Sequence, residues 1–227
     1  MDWTAFGLSL RLALWTAVLL IPASLLLARW LAWSTARGRP FVEAALMLPL
    51  VLPPTVLGYY LLVGLAPSSG LGRLLASLSG GPLVFTFPGI LLASLIVNLP
   101  FAVQPMQRAF EAIAPDLRAA AWVSGLSSWQ TFRQVELPLA WPGIVSALAL
   151  VFAHTLGEFG VILIVGGSIP GETQTLSIAI YDRMQAFRNA EAAAMAAALL
   201  AFSFAAIAVV YLTTRRPQRR ASEGGQR

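Results

Sequence analysis

Residues 108–139 read RAFEAIAPDLRAAAWVSGLSSWQTFRQVELPL, and the fold of the whole chain turns on how this stretch is read. Arg108, Glu111, Asp116, Arg118, Arg133 and Glu136 make it too charged to cross a bilayer, because ionised side chains at membrane depth are costly. Its spacing is too regular for a slack connection. Asp116, after Pro115, is placed to cap a helix whose body is the Ala-rich stretch 117–123. Gly125 follows as a terminator, since glycine accepts the left-handed conformation that ends many helices. A second short helix over about 128–135 ends at Leu137 and Pro138. The expectation is helix, tight glycine turn, helix, held at a membrane surface.

The sequence on both sides belongs in lipid. Of 227 residues, 58% are hydrophobic and 11% charged, with a mean hydropathy of +0.75, too little polar surface to solvate a globule. A spanning helix needs about 20 apolar residues. Stretches of that kind between charges fall at about 12–28, 44–65, 88–106, 141–165 and 192–214. The fold class is therefore an all-α, polytopic integral membrane protein with five spans over 1–214. A basic tail, 215–227, has no apolar face and is expected to be disordered. Arg11 and Arg29 bracket the first span and can snorkel to the two interfaces. That span lacks a basic n-region and a small-residue cleavage site, so it reads as an uncleaved helix. Pro49, Pro53 and Pro54 predict that the second span is kinked or broken.

Every basic residue is Arg, and Arg clusters in alternate connections. Arg29, Arg37 and Arg39 follow span one; Arg108, Arg118 and Arg133 follow span three; Arg215, Arg216, Arg219, Arg220 and Arg227 follow span five. Basic residues are retained on the cytoplasmic side, which predicts an outside N-terminus and a cytoplasmic C-terminus. The net charge of +5 thus reports membrane orientation, and no nucleic acid is expected as a partner. The absence of Cys and the single His, His154, argue against disulfides, thiolate chemistry and a metal site. No Lys is present for a P-loop, and no HExxH or nucleophile elbow appears, so no catalytic residue is assigned. Five spans are few for a solitary pathway, which predicts pairing with a second copy of the chain.

Ala119, Ala120 and Ala121, then Gly125, then Val135, Glu136, Leu137 and Pro138 resemble, in type and spacing, the cytoplasmic coupling motif of ABC-importer permeases. In that family the motif begins with Glu, whereas Ala119 stands here and leaves its salt bridge without a carboxylate. Residues 48–62, LPLVLPPTVLGYYLL, and 156–182, LGEFGVILIVGGSIPGETQTLSIAIYD, are similar to the molybdate permeases of the group. The GEFG element is shared with sulfate permeases. The resemblance implies a type I ABC-importer permease in a bacterial cytoplasmic (inner) membrane, translocating molybdate by alternating access, with sulfate or tungstate as alternatives. It implies no cofactor in this subunit, since a cytoplasmic ATPase dimer binds ATP and Mg, and it implies a periplasmic or extracellular molybdate-binding protein. The segment 116–138 would couple to that ATPase through Ala119, Ala120, Ala121, Gly125, Leu137 and Pro138, with Arg118 and Arg133 offering charged contacts. A helix lying on lipid headgroups is the other reading of this segment, and a non-transporting membrane scaffold that recruits a cytoplasmic partner is the other reading of the chain.

Within the spans, Thr55, Gly58, Asn98, Gly157, Glu158 and Gly160 are candidates for a pore or gate. Thr55 and Asn98 equally fit polar groups that satisfy a kinked backbone. With Pro138 at the inner edge and about 1.5 Å of rise per residue, Glu158 should lie roughly 30 Å away, near the outer surface. A carboxylate repels an anion, so Glu158 reads as a hinge, a gate or an interfacial packing site, with His154 one turn before it on the same face. Leu176, Ile180 and Met184 recur every four residues and predict an amphipathic segment on the outer side, a platform for the binding protein or a helix resting in the interface.

Overall fold

In the computed structural model, which describes residues 1–214, every regular element is helical. The tail 215–227 lies outside the described residues. Asp2 caps the Ala5 amide (3.0 Å) and opens α1, Trp3–Trp33. At 31 residues α1 runs well past the expected 12–28, because the charges inside it have partners. The Arg11 guanidinium lies over the Phe87 ring at 4.2 Å, and Arg29 reaches Glu136. The proline-rich span is α2, Arg39–Val51, and α3, Pro54–Leu65, bent by 110° at Leu52 and Pro53. Leu52 precedes Pro53 and Pro53 precedes Pro54, so both are pushed to extended ψ, 139° and 138°.

A helix the sequence reading did not anticipate, α4, Gly70–Ser79, starts where Ser69 Oγ accepts from Gly72 N (2.7 Å) and ends at Gly80 with φ +79°. The central helix α5, Phe87–Glu111, contains the third span and packs between α1 and the fourth. Beyond it come α6, Pro115–Val123, and α7, Ser128–Thr131. A π-helical turn, Phe132–Glu136, leads into α8, Leu137–Gly157, followed by α9, Gly160–Gly166; α10, Leu176–Gln185; and α11, Asn189–Thr214. Among the described residues, four continuous helical runs are long and apolar enough to cross a membrane, and the bent α2–α3 pair, counted as one span, brings the number to five.

Two expectations for the charged stretch are corrected. Asp116 does not cap α6; Ala114 holds the cap position, Pro115 opens the helix, and Asp116 sits in its first turn, favoured there by the helix dipole. Nor does the second short helix stop at Leu137 and Pro138. From Ser128 to Gly157 the helix is continuous over 30 residues. Pro138 lacks an amide hydrogen and its ring would strike the carbonyl four residues back. The wider π turn just before it removes that conflict, with Leu137 N bonding to Phe132 O. Ser127 and Gln130 form a reciprocal capping box at the start of this run.

One cluster joins Leu12, Ile90, Ala93, Val97, Ile162 and Val165, and a second joins Leu31, Val103, Met106, Phe110, Phe132 and Ile144. Ala5 packs with Leu176, Ala179 and Met195, whereas Ala28 and Leu31 at the other end of α1 pack near Phe110 and Phe132. The chain start and the charged stretch are therefore at opposite ends of the bundle. Helices α5 and α8 touch closely, since a Cβ at Gly143 would meet the Pro105 carbonyl at 2.6 Å.

The charged stretch is fastened to the bundle by one buried acid. The Glu136 side chain is 0% exposed, and its Oε2 accepts from Arg29 Nε of α1 at 2.5 Å while Oε1 accepts from Arg118 Nε of α6 at 2.8 Å. Arg118 also lies 4.0 Å over Trp33, and Arg29 5.1 Å over Phe132. A buried carboxylate is tolerable only when paired in this way. Glu136→Ala should therefore destabilise the fold by about 3 kcal/mol, the lower end for breaking a buried pair because both guanidiniums keep some water. Thermal unfolding in detergent, read by the loss of helical circular dichroism, checks this; an unchanged midpoint would mean that the triad does not hold α6 in place.

Candidate functional site

The surface predicted to meet a partner is built on α6 and the turn after it. Gly125 has φ +83°, a conformation that side chains with a Cβ adopt poorly, and nothing lies near the position a Cβ would take. It lets Leu126 N reach back to Ala121 O (3.1 Å), closing the end of α6. Ala119, Ala120 and Gly125 are exposed and Ala121 is buried, so the small residues divide between an outer and an inner face. Around them Leu117 and Trp122 are exposed and Val123 is 90% exposed, an apolar patch on α6, with exposed Trp129 beside it at the start of the run into α8. Leu137 is half-buried against the bundle and Pro138 is exposed. Arg133 is exposed, as a partner contact requires. Arg118 is not: it turns inward to Glu136, between Trp33 and Trp122.

A second constellation lies inside the bundle, where α8 breaks. Glu158 adopts an extended ψ of 128°, and its Oε1 accepts from Val161 N (3.0 Å), capping the restarted helix α9. His154 Nε2 is 3.7 Å from Glu158 Oε2, so the two do meet across one turn. The imidazole stacks on Phe101 with centroids 4.1 Å apart, and its Nδ1 lies 3.2 Å from Asn98 Oδ1. Fully buried Asn98 donates to Ser94 O (2.8 Å), and Ser94 Oγ is 2.9 Å from Thr16 Oγ1. A polar track thus runs from α1 through α5 and α8 to α9. Beside it is a cavity of about 150 Å³ bordered by Pro49, Leu52, Pro54, Phe101, His154 and Glu158.

The depth of Glu158 differs from expectation. It lies beside Val97 and Phe101, near the middle of α5, and not at the outer edge of the bundle. The continuous run starts at Ser128, well before Pro138, and Gly143 of α8 is still level with Pro105 and Ala109. Helix α9 carries the span onward to Gly166, which touches Ile90 near the start of α5. Both helix breaks meet here: a Cβ on Gly160 would come within 2.7 Å of Pro54 Cβ. Gly58 allows α3 to sit against Ile164 of α9. Thr55 and Gly157 are exposed.

After α9, Ser168 Oγ donates to Asp182 Oδ2 (2.6 Å), Gln174 Nε2 donates to the same oxygen (2.8 Å), and Thr173 Oγ1 donates to Gly166 O (2.7 Å). Glu172 accepts from Phe87 N (3.2 Å), fixing the loop to the start of α5. Helix α10 buries Leu176, Ile178 and Ala179, while Met184 is exposed, so the expected Leu176–Ile180–Met184 stripe is not its buried face. Sequence reasoning missed the pairing of Arg29 with Glu136 and the Thr16–Ser94–Asn98 track. The available signal was an Arg ending an apolar run and polar residues alone within apolar spans.

Comparison with known proteins agrees with this architecture. Residues 20–219 match the family described as Binding-protein-dependent transport system inner membrane component. The Molybdenum transport system permease protein ModB of Azotobacter vinelandii is 44% identical over 214 residues, covering 94% of this chain and 95% of that protein. A Probable sulfate transport system permease protein cysT of Chlorella vulgaris is 35% identical, covering 77% and 64%. In fold, the chain resembles a bacterial ABC transporter involved in the import of the acidic polysaccharide alginate, with a TM-score of 0.78 at 21% identity, over 95% of this chain and 79% of the other. It resembles likewise a bacterial alginate ABC transporter in complex with alginate pentasaccharide-bound periplasmic protein, with a TM-score of 0.77 at 21% identity, over 94% of this chain and 78% of the other. With the family match spanning most of its length, from within α1 to beyond α11, the chain belongs to the binding-protein-dependent transport system inner membrane components.

Proposed function

We propose that the chain is the permease subunit of an ATP-driven molybdate importer, working as a homodimer with a cytoplasmic ATPase dimer and a molybdate-binding protein. The observation that carries the substrate is the 44% identity to the Azotobacter vinelandii molybdenum permease along nearly the whole of both chains. Sulfate is the second reading, resting on a more distant relative matched over less of its length. ATP and Mg belong to the partner subunit. The coupling end of the bundle faces the cytoplasm and the N-terminus lies outside, as the Arg distribution favours. Uptake of radiolabelled molybdate by proteoliposomes holding the permease, its ATPase and its binding protein tests this. Strong competition by tungstate and weak competition by sulfate is expected, and uptake of sulfate in preference to molybdate would move the chain to the second reading.

The geometry supports a lever. The exposed apolar patch on α6 fits a groove on the ATPase. Displacement of α6 passes through Arg118, Glu136 and Arg29 to α1, and through the continuous 30-residue run to the helix break at Glu158. There the two broken spans meet, and their extended residues give the bundle a place to bend without losing helical bonds elsewhere. Glu158 serves as a gate element whose carboxylate caps the start of α9 beside His154. It does not bind the anion.

Two substitutions test the lever at its ends. Gly125→Val puts a β-branched residue at positive φ, a strain of about 1–2 kcal/mol at the turn the ATPase grips. Uptake should fall roughly five- to thirty-fold in a permease that inserts and pairs normally. Unchanged uptake would remove this turn from coupling. Glu158→Gln keeps an acceptor for Val161 but deletes the charge facing His154. Molybdate uptake should slow several-fold with the molybdate-to-sulfate ratio unaltered. A changed anion preference at normal rate would instead place this carboxylate on the anion's path.

A further inference from the structure

Where α1 meets α6 there is a cavity of about 240 Å³ lined by Leu26, Arg29, Trp30, Trp33, Ser34 and Arg118. Two guanidiniums face one carboxylate, Glu136, so the joint carries one uncompensated positive charge. Each uses Nε on Glu136, and Arg29 adds Nη2 at 3.4 Å. Both terminal nitrogens of Arg118 and Nη1 of Arg29 have no hydrogen-bond acceptor among the described residues. A region this rich in unused donors matches the oxygens of a phosphate, which guanidinium binds through parallel hydrogen bonds.

The surroundings say what carries the phosphate. Leu26, 62% exposed, and Trp30, 44% exposed, lie along α1 from the apolar side toward Arg29, so the cavity opens onto the face that meets lipid tails. Indole rings at the end of a spanning helix sit at headgroup level, and basic pockets between spanning helices hold anionic headgroups. From these we infer that the cavity is a binding site for an anionic phospholipid, its phosphate on Arg29 and Arg118 and an acyl chain along Leu26. The occupant touches α6 and α1 together and becomes a further member of the Glu136 joint.

Removing Arg118 would strand Glu136, so the test uses Ser34→Glu, which places a carboxylate in the cavity and leaves the triad intact, with Ser77→Glu on exposed α4 as control. The permease assembled with its ATPase is incubated with phosphatidylglycerol and phosphatidylcholine of matched chains, and retained lipid is counted by native mass spectrometry. Phosphatidylglycerol should be retained about five-fold over phosphatidylcholine, the worth of roughly one basic side chain at the membrane surface. Ser34→Glu should abolish that preference, Ser77→Glu should keep it, and excess inorganic phosphate should leave the bound lipid in place. Equal retention of the two lipids, or an intact preference in an assembled Ser34→Glu complex, overturns the site. Displacement of the lipid by inorganic phosphate overturns the phospholipid as its occupant.

Discussion

In hydrocarbon no water is available to satisfy a stray amide or carbonyl, and this constraint governs where the chain can depart from a helix. Its departures at membrane depth fall where protein groups answer it. At Leu52 and Pro53 the chain is extended between α2 and α3, and Pro53 and Pro54 have no amide hydrogen to leave unmet. At Glu158 the carboxylate replaces the missing carbonyl for Val161 N. Before Pro138 the helix widens to a π turn and loses no continuity. That the first two breaks pack against each other, Pro54 on Gly160, follows from the same need for irregular backbone to be covered by protein.

The joint at Glu136 obeys a related balance. Desolvating a carboxylate costs several kcal/mol, and two guanidiniums with aromatic faces behind them offset it. The acid therefore fixes two elements that the sequence places far apart, α1 and α6, against the start of the α8 run. The charged segment is in this way part of the bundle and not a tether. The chain belongs to a transport family, and the proposed lever depends on that rigidity.

The interior polar track has a different character. Thr16, Ser94 and Asn98 are fully buried and hydrogen-bonded, which stabilises the contact of α1 with α5, while His154 and Glu158 border a cavity. Satisfied polar groups in an apolar bundle specify which faces meet. His154 and Glu158 add a polar contact at the helix break itself.

By itself the sequence determined that the chain carries up to five stretches able to cross a membrane, the weakness of the second span, and the charged break ahead of the run that starts at Ser128. Each follows from local chemistry: apolar length, proline's missing donor, and charge density. The positive φ of Gly125 and the meeting of His154 with Glu158 were legible for the same reason, since they depend on neighbours within a turn. Tertiary structure decided the rest. Arg118 looked available to a partner until Glu136, eighteen residues on, drew it inward together with Arg29 from a separate span. Glu158 looked peripheral because rise per residue was counted from Pro138, a residue the π turn carries inside a longer helix. Pairings between distant segments are set by which faces pack, and packing is a property of the assembled bundle that no single stretch of sequence contains.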